Sequence, residues 1–162
     1  MDFRLFQIKQ EGIFKSRMIV TENEAVKYTA VFSGVFSKLY QIFDHSGKQI
    51  MVIEKPFHWG GGDFEVYVYG SKVCSFKPSI FNNNLEIQST YGYYAFKTES
   101  SWRTHFTILN STTEIGKISR KHGLLKDEFG VALMTNENVE FLLAMVIYII
   151  KRKKEQEAAS AS

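Results

Sequence analysis

Phe141-Leu142-Leu143-Ala144-Met145-Val146-Ile147-Tyr148-Ile149-Ile150 is an uninterrupted apolar run near the C-terminal end of a 162-residue chain. Its reading decides the fold. Asn136 reads as an N-cap, and Glu137 and Glu140 fall where the positive end of a helix dipole favours anions. Lys151, Arg152, Lys153 and Lys154 follow the run and suit the opposite end of the dipole. These brackets predict a helix over 137–152. The β-branched Val146, Ile147, Ile149 and Ile150 are compatible with a strand, but the run length and the flanking charges favour a helix.

A helix that is apolar on every face is either a membrane span or buried in protein. A span needs roughly 20 apolar residues, whereas this run covers only about 15 Å of a hydrocarbon core about 30 Å thick. Extending the run meets Glu140 on one side and four cations on the other. The helix is therefore expected inside a container of protein, with membrane insertion as the alternative. Each large apolar side chain gains about 1.5–3 kcal/mol on full burial, so the segment is a major determinant of whether the fold forms.

The container is expected to be β structure. Phenylalanine and tyrosine are abundant, with 14 and 8 residues, and there are only two prolines. Short strands are predicted from Phe3 onwards. The clearest are the hairpin of 39–43 and 49–53 around Asp44-His45-Ser46-Gly47-Lys48, and the alternating Phe64-Glu65-Val66-Tyr67-Val68-Tyr69. Ile13 to Val20 reads as a second strand, Pro78 ends the strand that begins near Val73, and His122-Gly123 reads as a turn. The spacing implies about twelve strands with short turns and no βαβ rhythm. The expected fold is mainly β: a closed antiparallel barrel of about twelve strands around a central hydrophobic C-terminal helix. A barrel of that size has more interior than its own side chains can fill, and an apolar helix fills it. One domain is expected over 1–152, with 153–162 as a disordered tail.

Chemistry is sparse. His45, His58, His105 and His122 are scattered near turns or strand ends and make no metal-binding spacing, so no metal or cofactor is expected. Cys74 reads as a small core residue rather than a nucleophile, and a lone cysteine excludes an intrachain disulfide framework. Gly60-Gly61-Gly62 lacks the Lys-Ser/Thr of a phosphate loop, and a strand follows it. Asp44 and Asp127 read as turn residues, Trp59 as a packed loop residue rather than one inserted in a membrane, and Asn110-Ser111-Thr112 as a polar turn. No catalytic constellation is visible. The net charge is only +3 and its basicity is concentrated at the C-terminal end, so no nucleic-acid partner is expected. The N-terminus has no apolar run of signal-peptide length, and the expected location is cytoplasmic, peripheral to a membrane.

The cations carry the sharpest functional reading. Lys151, Arg152, Lys153 and Lys154 are candidate contacts to an anionic phospholipid surface, at about 1 kcal/mol each. Lys117, Arg120, Lys121 and Lys126 form a second candidate patch, with Arg120 and Lys121 facing solvent near a barrel rim. For Lys151 to Lys154, dipole complement and solubility are the favoured account over lipid contact, since four cations reach only the bottom of the polybasic range.

The stretch Lys126-Asp127-Glu128-Phe129-Gly130-Val131, followed by Asn138-Val139-Glu140 and the apolar run, resembles the C-terminal end of the tubby C-terminal-like superfamily. That superfamily includes tubby domains, phospholipid scramblases and LURP-one-related proteins. Val73-Cys74-Ser75-Phe76 and Gly116-Lys117-Ile118-Ser119 are similar features. The resemblance, from about Leu39 to Ile150, implies a twelve-stranded barrel around a central helix. Tubby domains bind phosphoinositides, and scramblases are associated with membranes and calcium, but no motif carries a ligand-binding residue over to this chain. The expected function is a non-enzymatic binding module for anionic lipid at a membrane surface, or for a protein partner. The alternatives are a soluble carrier or enzyme using a partly open barrel, and a scramblase-like protein with a membrane-inserted helix.

Overall fold

The structure is a computed structural model. It describes residues 2–160 apart from 13–15, 35–37, 58–61, 78–83, 99–104 and 123–126, and the side chains of 121, 122, 127 and 156–160 also fall outside the description. Twelve strands precede one helix: β1 (Phe3–Glu11), β2 (Arg17–Glu22), β3 (Ala25–Ser33), β4 (Lys38–Asp44), β5 (Gln49–Lys55), β6 (Phe64–Val68), β7 (Ser71–Phe76), β8 (Leu85–Ser89), β9 (Gly92–Thr98), β10 (His105–Asn110), β11 (Thr113–His122), β12 (Asp127–Met134) and α1 (Val139–Ser160).

The strands form one 12-stranded sheet in the order β7-β6-β5-β4-β3-β2-β1-β12-β11-β10-β9-β8. Two antiparallel meanders meet where β1 pairs with β12, with Phe6 opposite Val131 and Ile8 opposite Phe129. Curling the sheet brings its edge strands β7 and β8 together, and Thr90 N–H donates to Val73 O across the seam at 2.9 Å. The barrel is nearly closed, which leaves little of the unpaired edge that an open sheet of this width would expose.

Alternation along each strand turns one row of side chains inward. Phe6 and Ile8, Met18 and Val20, Tyr40 and Ile42, and Phe64 and Val66 are all buried. They face α1, whose residues Phe141 to Ile150 are each buried, several with no exposure at all. The run is apolar on every face because barrel wall surrounds every face. Among the described residues, no helix is long and apolar enough to cross a membrane. The barrel, rather than lipid, takes the apolar run.

Several sequence expectations shift. Asn136 does not cap the helix. Glu137 N–H bonds back to Met134 O and Val139 N–H to Glu137 O, and the first helical bond is Leu142 N–H to Asn138 O at 3.0 Å. Asn138 therefore holds the cap position, because a tight turn occupies 134–138. At its other end α1 runs on through Lys153 to Ser160, where a disordered tail was expected. Glu155, Gln156, Ala158 and Ala159 are good helix formers. Glu155 is further held by Lys38 at 3.7 Å and Arg152 at 3.3 Å. The second strand starts at Arg17, residues 13–15 lying outside the described ones, and His122 ends β11 rather than forming a turn. The Asp44 hairpin forms as expected: its carboxylate accepts Ser46 N–H, Ser46 O–H and Lys48 N–H at 2.6–3.0 Å.

Candidate functional site

Because α1 threads the barrel, the molecule has two unlike ends. At the entry end α1 starts, and tight turns at 23–24, 69–70, 90–91 and 111–112 join neighbouring strands. At the exit end α1 leaves, and the longer connections 56–63, 77–84 and 99–104 join strand to strand.

The exit end gathers most of the cations singled out from sequence. Lys151, Arg152, Lys153 and Lys154 are all half-buried on the helix turn that leaves the barrel. The Lys151 ammonium lies 4.9 Å from the Phe32 ring centroid, and that of Lys153 lies 4.0 Å from Phe106, out of solvent contact. Burial pushes the Lys151 ammonium below the ordinary lysine range; nearby Glu155 opposes this and nearby Lys38 adds to it. Arg152 pairs with Glu155 at 3.3 Å. Arg120 is half-buried rather than solvent-facing, its guanidinium 5.8 Å over the Phe129 ring. It lies two residues beyond Ile118, the ladder partner of Phe106, so it neighbours the Lys153 contact. Lys117 belongs elsewhere: it lies mid-strand opposite Ala132 and pairs with Glu114 at 3.5 Å. Lys121 is opposite Glu128 in the ladder with its side chain outside the described set, and Lys126 lies outside the described residues, as do His58 and Trp59.

Two cations at this end were not singled out from the sequence. Lys38 and Lys55 are direct ladder partners on β4 and β5. Like charges directly opposite each other weaken a sheet. Only the observed register exposes this pair: the ladder shifts between Ile42 and Phe43, so counting outward from the Asp44–Lys48 turn would set Lys38 opposite Glu54 instead.

The entry end has a different composition. A cavity of about 340 Å³ opens there, lined by Arg4, Tyr69, Tyr91, Glu137, Glu140 and Phe141 among others. Tyr69 O–H donates to both Glu140 oxygens at 3.2 and 3.3 Å. Glu137 accepts from Tyr94 O–H at 3.3 Å and from Asn110 Nδ2, which is 3.3 Å from the nearer oxygen. Arg4 Nε and Nη2 grip Glu22 at 2.8 and 3.1 Å, and this bidentate pair holds the Glu22 carboxyl below its ordinary range. The Tyr91 and Phe141 rings are 5.2 Å apart. Glu137 and Glu140 were read from the sequence as dipole complements alone; their convergence with Tyr69 and Tyr91 comes from turns far apart in the chain.

Other residues keep ordinary roles. Cys74 is buried, and burial pushes its thiol up to about 11, as suits a core residue. His105 Nδ1 is 3.3 Å from Ser119 Oγ. Among the described residues, no three of His, Cys, Asp and Glu are grouped so that they could hold a metal ion.

A nearly closed twelve-stranded antiparallel barrel around a C-terminal helix is the architecture that the sequence resemblance implied. The family model described as LURP-one-related matches residues 4–150, and the chain belongs to that family. In solved structures it is similar to a protein of Arabidopsis thaliana determined by X-ray crystallography. The two are 14% identical, 91% of each chain is covered and the TM-score is 0.57, a likeness of fold. Among curated proteins none matches the chain in sequence.

Proposed function

We propose that this barrel is a non-enzymatic binding module that docks on an anionic phospholipid surface through its exit end. The observation that carries the reading is the segregation of charge. Lys38, Lys55, Arg120 and Lys151 to Lys154 share one end of the barrel, where Glu155 pairs with Lys38 and Arg152, and Glu137, Glu140 and the Arg4–Glu22 pair share the other. Lys38 stands opposite Lys55 with Glu155 at 3.7 Å from its ammonium, so two cations face each other across the ladder with a carboxylate beside one of them. Phe57, on the same end, is 54% exposed. Cations with adjacent apolar side chains suit the headgroup boundary of a bilayer.

Within the cluster the labour divides. Lys151 and Lys153, turned onto Phe32 and Phe106, close the barrel around the helix. Lys38, Lys55 and Lys154 are the residues assigned to lipid. The test is co-sedimentation with neutral and phosphatidylserine-containing vesicles across a salt series. Parent protein should bind the anionic vesicles and release them as salt rises. The variant Lys38→Gln/Lys55→Gln/Lys154→Gln should lose that binding. Absence of binding at low salt would overturn the lipid reading and leave a protein partner as the ligand class.

A further inference from the structure

We infer that the entry-end cavity is a binding site for a small alkylammonium cation. The inference stands apart from lipid docking, since it concerns the opposite end of the barrel. The cavity of about 340 Å³ is at the lower end of ligand-pocket sizes. Its walls include the rings of Tyr69, Tyr91 and Phe141, and its polar groups include the carboxylates of Glu137 and Glu140. Aromatic faces with a nearby carboxylate are the chemistry that recognises a quaternary ammonium group, whose alkyl-shielded charge is hydrated weakly enough for ring faces to compete with water.

An anion is the rival occupant, because a helix start and an arginine border the cavity. The local charges argue against it. Arg4 already holds Glu22 in a bidentate pair, and Glu140 occupies the first turn of α1. An entering anion would meet two carboxylates and no uncommitted arginine.

The backbone adds an independent observation. Tyr69 has φ 49° and Gly70 φ 82°, a turn with two left-handed residues. Asn, Asp or Gly takes the first of those positions at little cost, whereas a bulky ring there is strained. Yet this strained tyrosine is 57% exposed, hydrogen-bonds Glu140 and borders the cavity. Its ring already attracts one ammonium: Lys48 Nζ is 5.7 Å from the centroid, although Lys48 does not line the cavity. Strain kept at a mouth is a pointer to function.

The test is an amide NMR titration of the whole chain with choline, its uncharged carbon isostere, and sodium chloride as the salt control. Choline should give saturable shifts at 68–70, 90–92 and 137–141 in about the millimolar range, and the isostere should bind about tenfold more weakly. Glu140→Gln and Tyr69→Asn should each weaken choline about fivefold or more, and Tyr69→Asn should do so without lowering the thermal midpoint, because it relieves the turn. Lys154→Gln should leave choline binding unchanged. Absence of saturable shifts at the mouth, equal binding of the isostere, or unchanged affinity in Glu140→Gln would each overturn the assignment.

Discussion

The entry and exit ends of this barrel are built from the same strands yet make opposite use of charge. At the entry end the carboxylates lie within reach of donors: Glu22 with Arg4, Glu137 with Tyr94 and Asn110, Glu140 with Tyr69. At the exit end cations outnumber their carboxylate partner: Lys151 is stacked on Phe32, Lys153 on Phe106, and Lys38 and Arg152 share Glu155, with Lys55 opposite Lys38. The helix dipole explains only the entry end, where Glu140 falls in the first turn: α1 runs on to Ser160, and no basic residue falls in its last turn. It does not explain Lys38 and Lys55, which are strand residues. The lesson is that the dipole favours anions where α1 starts, whereas the cations where α1 leaves the barrel are placed by the wall residues they pack against, as Lys151 on Phe32 and Lys153 on Phe106.

The largest expected effect tests whether the two ends depend on one core. Met145 and Val146 lie midway along the buried helix with no exposure. Met145→Asp leaves an unpaired charge there and should cost more than about 4 kcal/mol, enough to abolish folding and the properties of both ends together. A variant that kept the parent's thermal midpoint in circular dichroism would break the buried-helix picture.

Next in size is the exit-end charge. Three lysines at about 1 kcal/mol each make Lys38→Gln/Lys55→Gln/Lys154→Gln about a hundredfold weaker on anionic vesicles. Glu140→Gln at the entry end should leave vesicle binding intact, and an equal loss in both variants would erase the distinction between the ends.

Packing of the barrel wall gives an effect of about 1–3 kcal/mol. A Cβ on Gly116 would meet Ala132 O at 2.7 Å and Leu133 Cδ2 at 2.8 Å. Backbone cannot yield as a flexible side chain does. Gly116→Ala should therefore lower the urea midpoint with an unchanged slope.

The smallest effect is a pH dependence of the Arg4–Glu22 pair at the entry end. The Glu22 carboxyl is held below its ordinary value of 4.5 by its hydrogen bonds with Arg4, against a smaller opposing effect of burial. A depressed carboxyl stabilises the fold above its unfolded value and loses that contribution as pH falls through its folded value. Parent protein should thus lose stability on acidification below about pH 4.5, and Glu22→Gln should lose less over the same window. Identical acid limbs in a pH series of thermal midpoints would remove Glu22 from the account.

Much of the architecture was legible because its causes are local. The uninterrupted run from Phe141 to Ile150 demanded burial on every face, and alternation as in Phe64 to Val68 demanded a wall with one apolar side. Asp44-His45-Ser46-Gly47-Lys48 specified its own turn by hydrogen bonds within a few residues. Boundaries were less legible. Whether Asn136 or Asn138 caps α1 depends on a backbone bond from Glu137 to Met134, and both asparagines are competent caps.

The sequence by itself determined that an apolar helical run too short to span a bilayer would lie inside a barrel of about twelve strands, with four cations directly after it. Both follow from composition and periodicity along neighbouring residues. Only the tertiary structure decided which cations are spent on holding the barrel around the helix, and it alone brought Tyr69, Tyr91, Glu137 and Glu140 around one cavity. These four come from two turns and from the segment that opens α1, and sheet closure makes them neighbours. Register and closure are non-local, set by the summed packing of the wall on the helix, so no stretch of the chain encodes them alone.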